Sequence, residues 1–322
     1  MSKPPSWDLY RTFNAVLREG SLSGAARALG LTQPSVARHI DALEEALGAG
    51  LFLRTPHGLS PTDAALELKP HAALLASTAA ALLRTAEGRG GEGGAGAVRG
   101  TVRISASEVV GAEHLPPILA RLRQAHPALT IELSLSNALD DLLQRKADIA
   151  IRMVRPEQQA LVARRIGAIP LGLHAHRDYL ARRGVPRNMA QLRDHDLIGY
   201  DVETPAIRAL ARRYPALERA AFALRVDSDV AQLCAIRAGF GIGVCQVPIA
   251  AANPDLVRVL ADAFAVDLET WVVMHEDLRS SARCRVVFDM LVRELTRIVG
   301  GFMQAPDHQP RLAATDQKRP PR

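Results

Sequence analysis

The sequence predicts a multidomain α/β protein: an all-α N-terminal part carrying a small hairpin, a long connecting helix, and an α/β region built of two parallel sheets. Three observations carry this. Apolar residues recur at helical spacing through the first 87 residues, the run GRGGEGGAGAVRG interrupts the pattern at 88–100, and strand-like and helix-like segments alternate from Thr101 onward. With 322 residues and 48% hydrophobic composition, the chain is too long for one small core and apolar enough to fold without staples. The expected divisions are 1–61, a helix at 62–87, a glycine-rich hinge at 88–100, a mixed domain at 101–300 and a disordered tail at 301–322.

Leu9, Phe13, Val16 and Leu17 define an amphipathic helix over Asp8–Arg18, which Gly20 ends. Ser23 is expected to cap a second helix, Gly24–Leu29, whose Ala25 and Ala26 permit close contact, and Gly30 supplies the turn. Thr32 caps a third helix that tolerates Pro34 in its first turn. There Val36, Ile40, Leu43 and Leu47 form one stripe, opposite Pro34 and Arg38. LFLRTPHGLSPT reads as a hairpin turning at His57-Gly58, and Thr62–Ala86 as one long helix, broken at most near Pro70.

In the mixed region TVRIS, TIELSL and ADIAIRM read as strands, with helices at Ile118–Gln124 and Leu139–Arg145. A second series follows: LGLHA, a helix at Arg177–Arg183, HDLIGY, a helix at Ala206–Arg213, FALRVD, a helix at Asp229–Ala238, and GIGVC. FAVDLETWVVMH and a final helix at Ala282–Ile298 return to complete the first half.

The net charge of +6 gives no support for nucleic-acid binding, because the first 87 residues carry eight Lys/Arg and eight Asp/Glu. Cys234, Cys245 and Cys284 are too few and too scattered for a disulfide framework or a zinc cage, and Cys234 and Cys245 read as buried. The opening segment shows no signal peptide and no apolar run reaches the ~20 residues of a membrane span, so a soluble, cytoplasmic protein without a membrane partner is expected.

Between Ser21 and Leu47 the small-residue helix, glycine turn and projecting helix have the form of a helix-turn-helix, whose second helix fits a DNA major groove ~12 Å wide. Gln33, Ser35, Arg38 and His39 then suit base edges and phosphates, with Ser23, Thr32 and Pro34 at the helix starts and Arg54 and His57 in the hairpin beside the groove. An ordinary helical hairpin with solvated polar residues stays open on spacing alone.

Ser23–Leu47, LFLRTPHGLSPTDAA, the long helix after it, ADIAIR, DYLARRG, DHDLIGY, AGFGIGV and WVVMHEDLRSS together resemble the LysR-type transcriptional regulators, in order as well as wording, over about residues 7–298. Family members commonly have glycine where Ala65 stands and leucine where Pro61 stands. The resemblance implies a winged helix-turn-helix, a linker helix that pairs with a second copy in homodimers or homotetramers, and a bilobed effector domain similar to a periplasmic binding protein. Lobe I would comprise about 101–168 and 267–300, lobe II about 169–266. The residues by themselves say only that Leu66, Ala73, Leu74, Ala81 and Leu82 need a partner, another copy being the simplest. A two-fold dimer would bind an interrupted palindrome in double-stranded DNA, and RNA polymerase is a further partner if the protein activates.

Ligands of open α/β sheets sit at strand carboxyl ends, which points to Ser105, Ser107, Asn137 and Arg152 in one lobe and Tyr200, Asp201, Thr204, Asp227 and Ser228 in the other. In the family the position of Ser107 often contacts effector. As a fixed cation Arg152 favours an anionic effector, a carboxylate, unless it pairs with Asp201 or another acid across the cleft. No cofactor, no metal and no catalytic residue is expected: GxxxxGK, GxSxG and HExxH are absent, and His174 and His176 alternate on a strand without a placed third ligand. Two other readings remain: a small-molecule-binding protein or enzyme with an appended helical module, and a redox regulator that pairs Cys234 with Cys245.

Overall fold

The computed structural model describes residues 4–55, 58–87, 98–137, 147–156 and 161–303. His57, the hinge as far as Ala97, the helix expected at Leu139–Arg145 and the tail after Met303 lie outside the described residues. The chain forms two compact units: one holds residues up to Arg103 with the first part of the 129–135 strand, the other Ile104–Pro127, Leu133–Asn137 and the chain from Ile149.

The first unit opens with α1 (Trp7–Glu19), α2 (Leu22–Leu29) and α3 (Gln33–Leu47). Ser21, not Ser23, caps α2, accepting from the Gly24 amide at 3.1 Å, so Ser23 stands inside the first turn. Gly30 follows α2 at φ 67°, a left-handed position that lets α3 leave at a steep angle. Phe13, Val16, Ala25, Val36, Ile40, Leu43 and Leu51 pack together in the core, each large apolar side chain contributing ~1.5–3 kcal/mol. Leu47 does not complete the stripe; it is exposed, one turn beyond the reach of α1 and α2.

The hairpin consists of β1 (Phe52–Thr55) and β2 (Gly58–Pro61), antiparallel. The long helix α4 (Asp63–Glu87) runs unbroken through Pro70. Pro70 removes one backbone donor, but it and Leu66 are both exposed, so water can satisfy the Leu66 carbonyl. Thr62 caps the helix, accepting from the Ala65 amide at 3.3 Å while donating to the Gly50 carbonyl at 2.8 Å. Ala65 is buried, so a methyl group fits where glycine is common.

Beyond 98 the expectation of two parallel sheets is corrected. Among the described residues one mixed nine-stranded sheet contains β3 (Gly100–Ala106), β4 (Leu129–Leu135), β5 (Ile149–Arg152), β6 (Leu161–His176), β7 (Leu197–Tyr200), β8 (Phe222–Val226), β9 (Ile242–Gln246), β10 (Leu256–Val259) and β11 (Val266–His275). Its order is β4-β3-β5-β11-β6-β9-β7-β8, with β10 on β6. The sheet is continuous because β6 and β11 are long: β11 pairs β5 at Trp271–Met274 and β6 from Leu161 to Leu171, and β6 carries on to β9 and β10. Parallel pairing is retained in β3·β5, β7·β8 and β7·β9, while the long β6 and β11 pair antiparallel.

The helices flanking this sheet are α5 (Leu115–Ala125), α6 (Arg177–Arg183), α7 (Pro205–Arg213), α8 (Asp229–Arg237), α9 (Val247–Ala251) and α10 (Ala282–Met303). Ile104, Leu115, Ile118, Ile149, Ile151 and Leu291 are buried in lobe I, where Arg121 of α5 pairs with Glu294 of α10 at 2.7 Å. Leu173, Tyr179, Leu197, Tyr214, Leu217 and Phe264 form one core of lobe II. Cys245 and Cys284 are buried; Cys234 is exposed, against expectation, because it lies on the solvent side of α8.

Candidate functional site

Two sites emerge, one in each unit. In the first, Val36, Ile40 and Leu43 bury one face of α3 and thereby expose the other, on which Gln33, Pro34, Arg38, Asp41 and Ala42 lie. The start of this helix is ordered by local bonds. Thr32 accepts from the Ser35 amide at 3.3 Å and its hydroxyl lies 2.9 Å from that of Ser35, while Ser23 donates to Gln33 Oε1 at 3.2 Å and Arg38 to Ser35 Oγ at 3.4 Å. The face thus presents an amide, hydroxyls and a guanidinium, the donor and acceptor types that read base edges and phosphates.

His39 differs from the other sequence-picked residues. It is half-buried, with Nδ1 2.8 Å from Thr12 Oγ1, so this edge of the ring holds α3 on α1 instead of facing outward. Glu44, not anticipated, accepts the amides of Leu51 at 2.6 Å and Phe52 at 3.2 Å, fixing the hairpin to α3. Arg54 is exposed on β1. Gly58 starts β2 at φ 127°, where a Cβ would stand 2.8 Å from the Gly20 carbonyl oxygen.

The second site lies at strand ends in the α/β unit. Arg152, buried at the end of β5, donates to Ser105 Oγ at 2.8 Å and to the Ile151 carbonyl at 3.0 Å. The pairing with Asp201 is not formed: Asp201 instead binds Arg219 at 2.7 Å. Ser107, beside Ile151 through its own amide, has a buried hydroxyl with no hydrogen-bond partner among the described residues. A buried hydroxyl without a partner costs ~1–3 kcal/mol, a cost that a ligand atom or a water meeting it would relieve.

Further along, Asn137 accepts from the Glu108 amide at 3.2 Å and donates to Asp229 Oδ2 at 2.9 Å. Ser228 caps α8 and donates to Glu108 Oε2 at 2.7 Å. Burial, then the neighbouring Glu108 charge, push the Asp229 carboxyl up from its ordinary range, while Asn137 opposes the shift. Tyr200 is raised as well, chiefly by burial and then by Asp229. Hydrogen bonds therefore link Asn137, Glu108, Ser228 and Asp229 into one cluster with Tyr200 beside Asp229, while Ser105, Ser107 and Arg152 stand together at the ends of β3 and β5. Asp201 faces Arg219, Thr204 caps α7, and Asp227 is exposed; none of these three joins the cluster. Glu108 and Asp229 were missed because their partners lie far away in sequence, Ser228 being 120 residues from Glu108.

His174 and His176 are each engaged with partners of their own. His174 is buried with Nδ1 3.0 Å from the Gly172 carbonyl, and burial lowers its pKa to about 4; His176 caps α6. Among the described residues no cluster of metal-ligating side chains is present. A cavity of about 320 Å³ lies elsewhere, lined by Arg208, Arg212, Leu217 and Phe222, and it shares Tyr200 with the cleft.

Residues 7–66 match the family of bacterial regulatory helix-turn-helix proteins of the lysR type, and residues 95–296 match the LysR substrate binding domain. The chain belongs to the LysR family. It is 30% identical over 183 residues to an HTH-type transcriptional regulator of Xanthomonas campestris pv. campestris (strain 8004), covering 57% of this chain. The chain spans about half, 52%, of that relative's length. To the HTH-type transcriptional regulator CrgA of Neisseria meningitidis serogroup C it is 27% identical over 88% of this chain and 95% of that one. The relatives are named as transcriptional regulators, not enzymes. In fold it is similar to full-length CbnR, solved in complex with its target DNA, with a TM-score of 0.62, 20% identity, and coverage of 90% of this chain and 99% of that one. The winged helix-turn-helix followed by an α/β effector domain is thus the architecture of this LysR-family chain.

Proposed function

We propose that the protein is a DNA-binding transcriptional regulator whose grip on a promoter is changed by a small anionic molecule, a carboxylate, bound between the two lobes. The observation that carries this reading is the buried Ser107 hydroxyl, without a partner among the described residues and next to the end of β5 where the buried Arg152 stands, in a chain whose α3 exposes Gln33 and Arg38. A fixed guanidinium offers planar, charge-assisted bonds to a carboxylate, and a hydroxyl completes the set.

On this reading α3 enters the major groove and Arg54 reaches the backbone beside it. Leu66, Leu74, Leu75, Leu82 and Leu83 are exposed on α4, and their burial against α4 of a second copy supports a dimer, or a tetramer of two dimers. Two-fold pairing makes the operator an interrupted palindrome. Acting on chromosomal DNA, the protein works in the cytoplasm; among the described residues no helix is long and apolar enough to cross a membrane. The ligand acts by binding two arrangements of the lobes unequally.

Footprinting on the DNA upstream of its own gene, with and without a panel of carboxylic acids, tests this. A two-part footprint whose length changes with one acid is the expected result. No footprint, or one indifferent to acids and altered by amines, overturns respectively the DNA reading and the anionic one.

A further inference from the structure

One continuous helical segment from lobe I makes a seam of bonds to lobe II. It begins at Glu108 and passes through a π-helical turn, Val110–His114, before α5. Glu108 Oε2 accepts from Ser228 Oγ at 2.7 Å and lies 3.4 Å from the Val230 amide, so it occupies the N-terminus of α8. One turn on, Glu113 grips Arg237 with two bonds of 2.7 and 2.8 Å at the other end of the same helix. His114 Nε2 stands 3.0 Å from Gln246 Oε1 of β9. The wide π turn sets Glu113 and His114 toward lobe II.

Both ends of α8 are thus held by carboxylates of lobe I, and the first of them takes the place where a free anion would bind. The positive end of a nine-residue helix and a capping hydroxyl are the elements that receive a ligand carboxylate in α/β clefts. Here they already have one, and Asn137, bonded to the Glu108 amide and to Asp229, braces it.

We infer that Glu108 is a tethered internal ligand that sets effector specificity: it closes the α8 N-terminus to free anions and directs an effector's anionic group to the Ser107 and Arg152 end of the cleft. The inference rests on the reading of this cleft as the effector site. Its test uses neither DNA nor the natural effector, so the two fail separately.

Thermal unfolding of the full-length protein is followed while sodium acetate replaces sodium chloride at constant ionic strength. Glu108→Ala should melt several degrees below wild type in chloride, and acetate should recover part of that loss by entering the vacated position. Any gain of wild type, from acetate at Arg152, is subtracted. Glu108→Gln, which fills the same space without charge, should melt lower than wild type and show no acetate gain beyond it. Glu108→Ala combined with Ser228→Ala should lose the recovery. Equal acetate gains in wild type and Glu108→Ala overturn the inference. So does a Glu108→Gln protein that melts as wild type, a result that stands even if Glu108→Ala does not fold.

Discussion

Thr12 Oγ1 lies 2.8 Å from His39 Nδ1, joining the buried face of α1 to the middle of α3. Thr12 Oγ1 also donates to the Asp8 carbonyl at 2.8 Å, so its single proton is committed and the His39 Nδ1–H is the donor to it. This bond fixes the roll of α3 and hence the direction in which Arg38 and Gln33 point. Thr12→Val keeps the shape and leaves the imidazole N–H without its acceptor, which should cost about 1–2 kcal/mol in urea unfolding. In a double-mutant cycle with His39→Ala the coupling should be about 1 kcal/mol. A coupling indistinguishable from zero removes the bond's orienting role.

Gly58 is held to the C-terminus of α1, with the Leu59 amide donating to the Gly20 carbonyl at 3.0 Å. At φ 127° and with a Cβ placed 2.8 Å from that carbonyl oxygen, alanine meets both backbone strain and a clash with backbone that cannot rotate away. Gly58→Ala should destabilise the first unit by about 1–3 kcal/mol. The melting temperature of the 1–87 segment's own transition in the full-length protein checks this. An unchanged transition would mean that the hairpin relaxes freely.

Arg38 is exposed and bonds only weakly, at 3.4 Å, to Ser35, so its removal should not affect folding. Arg38→Ala should weaken operator binding at fixed salt. If the contact is to phosphate, the slope of log affinity against log salt falls by about one and all sequences suffer alike; if to a guanine edge, discrimination at one position falls by ~1–3 kcal/mol. Unchanged binding at matched salt refutes α3 as the reading helix.

The elements that were legible in the sequence are those whose apolar period is local: α1, α3, α6 and the strand at Leu197–Tyr200 follow directly from spacing and caps. The first half of β6 was not. Arg164 and Arg165 are consecutive exposed residues, and the register shifts between Thr270 and Trp271, leaving Ile166 as an extra residue beside Gly167. A bulge breaks the alternation on which strand recognition depends. Missing it turned one continuous sheet into two. In the cleft, Ser105 and Arg152 were visible because strand ends are visible, whereas Glu108 gains its meaning from Ser228 and Val230 on a distant helix. Arg152 with Asp201 was a reasonable pair by charge, but Arg219, 18 residues from Asp201, is closer at hand.

Burial of His174 against the Gly172 carbonyl and Cys245 predicts an acid-labile domain. Burial lowers the folded-state pKa to about 4 from the ordinary 6.5, so the unfolded chain takes up a proton at a higher pH than the folded one. The stabilisation is complete above pH ~6.5 and is lost as pH falls toward 4, by an amount of order 3 kcal/mol. His174→Asn, which keeps a donor near the Nδ1 position, should flatten the fall in unfolding free energy over that window relative to wild type. Parallel pH profiles for the two proteins would sink the assignment.

Ser105 and Ser107 are both buried serines of the cleft, yet their substitutions should separate. Ser105 accepts from Arg152 at 2.8 Å, so Ser105→Ala strips a bond from a buried cation and should cost about 2 kcal/mol without any ligand present. Ser107 has no such bond to lose, and replacing its unpartnered hydroxyl with hydrogen removes a desolvation penalty; Ser107→Ala should be neutral or stabilising by up to ~1 kcal/mol. The order should reverse when the effector is added. Ser107→Ala should weaken the ligand's thermal stabilisation and its effect on the footprint about tenfold in concentration, because the hydroxyl's cost is recovered only when a ligand atom meets it. Equal destabilisation by both substitutions in the ligand-free protein would show that Ser107 is an ordinary structural serine, and the proposed contact would then fall to Arg152 alone.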